Sequence, residues 1–239
     1  MYGAFTIAPL VDKPGSQKPR LIVTIDGPAG AGKSTVARVL ALRLGYLYLD
    51  TGALYRAVAW KVQRAGIALS SADAVAALLA QTTIRIEQQP ERTCVFVDGK
   101  DVTGELRAPE ISKLASLVSA ISVVREWLLP VQREIGRHGG LVAEGRDIGT
   151  RVFPWADVKF FLDASLEVRA ARRNLELTAA GRHVVLDQTS QDLDARDGRD
   201  RTRELAPLVP APDARVIDTS GLQVEEIVDR MMAMIAAKL

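Results

Sequence analysis

Hydrophobic positions follow two rhythms along this chain. The continuous run LIVTI at 21–25 reads as a buried parallel strand, because such a strand has no solvent side to alternate toward, and LVAEG at 141–145, VKFFLD at 158–163 and RVIDT at 215–219 read as further strands. Between them apolar residues recur at helical spacing. One helix is expected over about 33–44 with Gly45 as its stop, and another over about 53–65 closed by Gly66. Asp50-Thr51-Gly52 offers capping side chains ahead of the second. A long helix is expected from about Ser165, and an amphipathic one from about Val224 to Leu239.

The stretch from Thr82 to Glu105 breaks this rhythm. Two alternating runs, TTIRIEQ and TCVFVDG, are separated by Gln89-Pro90-Glu91-Arg92 and closed by Asp98-Gly99, which is hairpin chemistry. Helices at about 109–120, with Pro109 near its start, and at 122–137 follow it. The pattern predicts an α/β protein, a parallel sheet covered by helices on both faces with a small antiparallel-sheet insert. Ligands in such folds gather at the carboxyl ends of the strands.

A length of 239 residues allows one good-sized core and a smaller inserted piece. The net charge of only +2 excludes a chain-wide basic field, so no nucleic-acid partner is expected. Positive charge is local instead, in Arg169, Arg172, Arg173, Arg182, Arg196, Arg199, Arg201 and Arg203. Arginine suits bidentate phosphate recognition, although acids interspersed among these residues also fit a solvated helix face. The lone Cys94 cannot form an intrachain disulfide and sits in a strand-like run, as a buried thiol in a reducing compartment would. Residues 1–19 contain an apolar stretch with no basic segment before it and read as a tail, not a leader. No apolar run approaches about 18 residues, so a cytoplasmic chain without a membrane partner is expected. His138 and His183 lack companions at metal-ligand spacing, and no zinc site is expected.

Gly27-Pro28-Ala29-Gly30-Ala31-Gly32-Lys33-Ser34 fits G-x-x-x-x-G-K-[ST] and lies between a predicted strand and a predicted helix. Its glycines let backbone N–H groups wrap a phosphate, and the helix N-terminus adds positive potential. Lys33 reaches the β- and γ-phosphates, and Ser34 offers a hydroxyl to Mg²⁺. The loop alone implies a bound nucleoside triphosphate. A GTP switch would also need N-K-x-D, which is absent, and a transport ATPase a signature loop, also absent.

Four blocks narrow the choice: IDGPAGAGKST at 25–35, DTGALYR at 50–56, EGRDIGT at 144–150, and the spaced set Arg196-Asp197, Asp200, Arg203, Ala206-Pro207-Leu208. Together they resemble the bacterial cytidylate kinases from about Arg20 to the end of the chain. The resemblance implies a P-loop fold with a monophosphate-binding insert at about 66–125, built on a small three-stranded sheet, and a helical lid at about 169–190. It implies ATP-dependent phosphorylation of CMP and dCMP, with Mg²⁺ carried on ATP, by a monomer. Gly27 to Thr35, with Arg172 and Arg173 of the lid, would hold ATP. Arg56, Arg146 and Arg203 would clamp the acceptor phosphate, in a pocket shaped by Asp50, Thr51 and Tyr55. Asp147, Ser116 and Arg125 would read cytosine, and Arg196 and Asp200 the ribose. Lys33, Arg146 and Arg203 would carry catalysis. Such a reaction asks for alignment and charge neutralisation more than for acids and bases. Two rivals remain: a pyrimidine kinase that also accepts UMP, and a nucleotide-binding switch. Residues on helices also have plainer readings: Ser116 facing solvent, and Arg196 and Asp200 as an i,i+4 surface pair.

Overall fold

Strand and helix boundaries follow from where continuous apolar runs meet glycine, proline or a capping acid. In the computed structural model the described residues are 6–7, 20–88, 93–179, 181–182 and 184–238. Numbered along the chain, the strands are β1 (Thr6–Ile7), β2 (Ile22–Asp26), β3 (Leu47–Asp50), β4 (Ile84–Gln88), β5 (Thr93–Val97), β6 (Lys100–Asp101), β7 (Leu141–Gly145), β8 (Val158–Asp163) and β9 (Arg215–Asp218). The α-helices are α1 (Lys33–Leu44), α2 (Thr51–Ala65), α3 (Ala72–Ala80), α4 (Pro109–Val118), α5 (Ser122–Ile135), α6 (Leu166–Ala179), α7 (Leu186–Thr202) and α8 (Val224–Ala236). The chain divides into two compact units, one of Lys18–Leu49 with Gly139–Leu239, the other of Asp50–His138 with β1.

The first unit is built on a five-stranded sheet in the order β3-β7-β2-β8-β9. β2 pairs in parallel with β7 and β8, setting Val23 beside both Val142 and Val158, and β8 pairs in parallel with β9. Every residue of β2 and β7 is buried, which accounts for their mostly apolar character, broken only by Thr24, Asp26 and Glu144. Val23, Ile25, Leu40, Val142, Phe160, Leu162, Val228 and Met231 share one core cluster, joining the central strands to α1 and α8. α1 stops at Gly45, whose φ of 67° is left-handed, and the N–H of Tyr46 then closes on the Ala41 carbonyl at 2.9 Å. The long helix expected from about Ser165 is α6, and α7, which carries Arg196 and Asp200, follows it. Gly181, at a φ of 75°, lies in the link between them.

In the second unit α2 is capped by Asp50, which accepts from the Ala53 N–H at 3.1 Å, and stops at left-handed Gly66. β4 pairs antiparallel with β5, β5 antiparallel with β6, and β1 lies parallel to β4. The expected three strands are therefore present, with β1 added at the edge. Asp98 and Gly99 both have positive φ, 50° and 82°, as a two-residue hairpin turn of the first primed type requires. Cys94 is buried on β5. α3, capped by Ser71, lies in an alanine-rich stretch whose helical spacing went unassigned from the sequence. The turn at Gln89-Pro90-Glu91-Arg92, His183, and the tail apart from β1 lie outside the described residues. Among the described residues no single helix is long and apolar enough to cross a membrane.

Candidate active site

The glycine-rich loop leaves the carboxyl end of β2 and runs into α1. Gly27 has a φ of 145°, and a Cβ there would stand 2.0 Å from the Leu162 carbonyl oxygen, so only glycine fits against β8. Lys33, the first residue of α1, is buried and donates from Nζ to the Pro28 carbonyl at 2.6 Å. Burial, and then the positive charges of Arg146 and Arg196, push its ammonium down to about 7, against the opposing pull of Glu144 and Asp26. Ser34 and Thr35 are exposed in the first turn of the same helix. Left-handed glycines at a helix N-terminus, a cation behind them and an exposed hydroxyl beside them make an anion cradle.

Asp26, read from the sequence only as the end of a strand, has a larger part. Its two carboxylate oxygens accept from the N–H groups of Ile148 and Gly149, each at 2.8 Å, and hold the turn that carries Arg146 and Asp147. Burial raises its carboxyl to about 6 even against those two donors, with the charge of Asp147 adding to the rise. A carboxylate closing an otherwise apolar buried strand was the signal for it. On the neighbouring strand the Tyr48 hydroxyl donates to Glu144 at 2.6 Å, and Glu144 faces Lys33 electrostatically.

Three arginines gather on one carboxylate. Arg146 Nε lies 3.1 Å from Asp200 Oδ2, Arg203 Nη1 3.9 Å from Asp200 Oδ1, and Arg196 Nε 4.0 Å from Asp200 Oδ2. Burial alone would raise the Asp200 carboxyl, but Arg146, Arg196 and Arg203 together hold it below the usual carboxylate range. Arg203 also stands 3.5 Å from Asp147 Oδ1. The pair at 196 and 200 is thus no surface ion pair, because Asp200 is buried and Arg146 competes for it. The Ala206-Pro207-Leu208 motif has a local reason as well. Ala206 adopts a left-handed φ of 53°, its carbonyl accepts from Arg203 Nε at 2.5 Å, and the Leu208 N–H returns to the Asp200 carbonyl at 2.7 Å.

On α6, Arg172 donates to the Thr219 hydroxyl and carbonyl at 3.0 and 2.6 Å, and Thr219 in turn donates to the carbonyl of Ala31 in the glycine-rich loop at 3.1 Å. Arg173 pairs with Glu176 on the exposed side of the helix. Thr219 was not anticipated from the sequence.

The second unit holds a cluster of its own. Asp50 caps α2 with one oxygen and accepts from Arg56 Nη2 at 2.5 Å with the other, so Arg56 is oriented before any ligand arrives. Thr51 is buried beside them. Arg125 lies 5.7 Å over the Tyr55 ring and donates to the Ser119 carbonyl at 3.0 Å. The Ser119 hydroxyl donates to the carbonyl of Ser116 at 2.8 Å, and Ser116 is buried, so it does not face solvent.

The family model described as Cytidylate kinase matches residues 23–237. The chain is 50% identical over 222 residues to a cytidylate kinase of Desulfitobacterium hafniense (strain Y51), covering 93% of this chain and 95% of that one. It is 51% identical over 215 residues to a cytidylate kinase of Geobacter sulfurreducens, covering 90% and 92%. Among solved structures it aligns with a shikimate kinase from Acinetobacter baumannii in complex with shikimate, at a TM-score of 0.45 and 16% identity over 91% of this chain and 94% of that one.

Proposed function

The chain belongs to the cytidylate kinase family, and on that premise we propose how its residues move the terminal phosphoryl group of ATP onto CMP and dCMP. One observation carries the reading: the unit that holds the Lys33 loop also gathers Arg146, Arg196 and Arg203 on Asp200, a second cationic site beside the first. A nucleotide switch has no use for it.

In this reading Gly27 to Thr35 wrap the ATP phosphates, and Lys33 leaves the Pro28 carbonyl to meet the β- and γ-phosphates. The exposed Ser34 hydroxyl in the first turn of α1 suits Mg²⁺ carried on ATP. When bound, the ion neutralises charge on the phosphate oxygens. Arg146, Arg203 and Arg56 hold the acceptor phosphate, Arg196 and Asp200 the ribose, and Asp50, Thr51 and Tyr55 shape the acceptor pocket. A lid over about 169–190, with the anchored Arg169 as its fixed root, excludes water, and Arg172 and Arg173 turn to the donor phosphates. The insert over about 66–125 belongs to the acceptor. The enzyme works as a cytoplasmic monomer.

Asp147, Ser116 and Arg125 read the base. Cytosine offers an amino donor and a ring acceptor where uracil offers a carbonyl and a ring N–H, so a carboxylate accepts from the first and repels the second. A site built around one polar group rejects the analogue lacking it by up to about 10⁴-fold. Asp147→Asn should narrow the CMP-to-UMP ratio of kcat/KM at least tenfold, mainly through CMP. An unchanged ratio would leave Asp147 a structural member of its turn and favour a kinase that accepts UMP as well.

A further inference from the structure

We propose that Arg169 and Asp197 form a positioning pair that fixes the apex of the ATP-binding loop and ties it to the helix bearing the acceptor-site residues. The inference rests on the kinase reading above but assigns roles to two residues that reading does not use. Both side chains are almost wholly buried, at 5% and 1% exposure, and they form an ion pair between α6 and α7. A buried pair of opposite charges costs desolvation and contributes little net stability unless its remaining hydrogen-bonding capacity is used. Here it is used on the loop. Arg169 Nη1 donates to the Ala29 carbonyl at 3.1 Å, and Asp197 Oδ1 accepts from the Ala29 N–H at 3.4 Å, so both backbone groups of one loop residue are held by the pair. Arg169 Nε donates to the Ala164 carbonyl at 3.0 Å, which anchors the guanidinium at the end of β8.

Packing repeats what the hydrogen bonds do. The Ala29 methyl sits in a small apolar cluster with Ala170 and Leu166 of α6 and Leu193 of α7, separate from the main core. At Gly30 a Cβ would stand 2.9 Å from the Arg169 carbonyl oxygen, so the loop backbone lies directly against α6. A P-loop needs its shape before the phosphates come, and these contacts fix its apex from outside.

Asp197 faces the loop, while Arg196 and Asp200, within one helical turn, belong to the arginine cluster, and Arg203 follows at the helix end. One rigid helix therefore holds the ATP loop with one side chain and the acceptor arginines with the next. In-line transfer depends on the spacing of the two phosphates, and misplacement by about 1 Å costs on the order of a hundredfold in rate. The pair sets that spacing while touching neither substrate.

The test uses the full chain carrying Asp197→Asn, which keeps side-chain size and an acceptor for Ala29 but removes the charge. Arg169→Lys is made beside it; it keeps the charge opposite Asp197 and gives up the fork that reaches Ala29 and Ala164. Both are assayed well below their melting temperatures, with wild type in parallel so that a wild type inactive on CMP would count against the kinase reading and not against the pair. The expected result in each is a fall in kcat of at least tenfold with KM for ATP and for CMP within about threefold of wild type, because alignment is lost and binding is kept. Should Asp197→Asn fail to fold, Arg169→Lys decides alone. A folded variant with kcat within threefold of wild type, whatever its loss of stability, would reduce the pair to a structural tie and overturn the proposal, as would a loss confined to KM for ATP.

Discussion

Replacing Lys33 by Met should make the protein more stable and nearly inactive at once. Met keeps the length and apolar stem of the side chain but removes a charge that the fold buries. Burial, Arg146 and Arg196 push the Lys33 ammonium from 10.5 down to about 7. At about 1.4 kcal/mol per pH unit, a depression of that size corresponds to roughly 3–5 kcal/mol against folding at neutral pH. Loss of the bond to the Pro28 carbonyl gives back only about 1 kcal/mol. The variant should therefore gain on the order of 2 kcal/mol or more. Because the folded-state value lies below the unfolded one, the penalty is full below about 7 and fades as the pH rises toward 10.5. Urea unfolding of both proteins without nucleotide, at pH 7 and pH 10, should show a large gain at the first and a small one at the second. In a coupled ADP-release assay the same variant should lose about a hundredfold or more in turnover, since Lys33 stabilises charge that develops on the transferring group. A variant less stable than wild type at pH 7 would refute the buried-charge argument. Turnover above a tenth of wild type would refute the catalytic one.

Asp26 titrates in the opposite sense. Its carboxyl is raised from 3.8 to about 6, so its ionisation costs nothing below the first value and about 3 kcal/mol above the second. The stability of Asp26→Asn relative to wild type should accordingly rise by roughly 2.5 kcal/mol between pH 4 and pH 7.5, read by urea titration, and a difference constant over that range would contradict it. Asp200→Asn should destabilise by about 3 kcal/mol at pH 7, since it strips the shared counter-charge from Arg146, Arg196 and Arg203. Because the Asp200 carboxyl is held low, that cost should shrink as the pH falls below 3.8, and KM for CMP should rise at neutral pH; an unchanged KM would remove Asp200 from the acceptor site.

Legibility in the sequence tracked how local each feature is. β7, β8 and α1 lie where their apolar runs and stops put them, because a continuous strand and a glycine-capped helix are decided within a few residues. The four-residue β3 was missed because it is too short to show a period, and its last residue is already the cap of α2. The glycine-rich loop was legible since its spacing carries its own mechanism. Asp26, Thr219 and the Arg169–Asp197 pair were not, because each matters through a residue more than 25 positions away. Composition places a buried acid on a strand or helix but says nothing of which backbone N–H it meets. Arg169 shows this most clearly: its sequence neighbours assign it to an arginine-rich lid, and only the path of the glycine-rich loop reveals that it grips Ala29.

A monophosphate kinase transfers its phosphoryl group only when the acceptor is present. ADP release from ATP and Mg²⁺ should be measured in a coupled assay with each of CMP, dCMP, UMP, AMP, GMP and dTMP, and with none. The account predicts rapid release with CMP and dCMP, far slower release with UMP, and background release with the others and with ATP alone. ADP release at the same rate with no monophosphate present would contradict it, and would make the chain a nucleotide hydrolase.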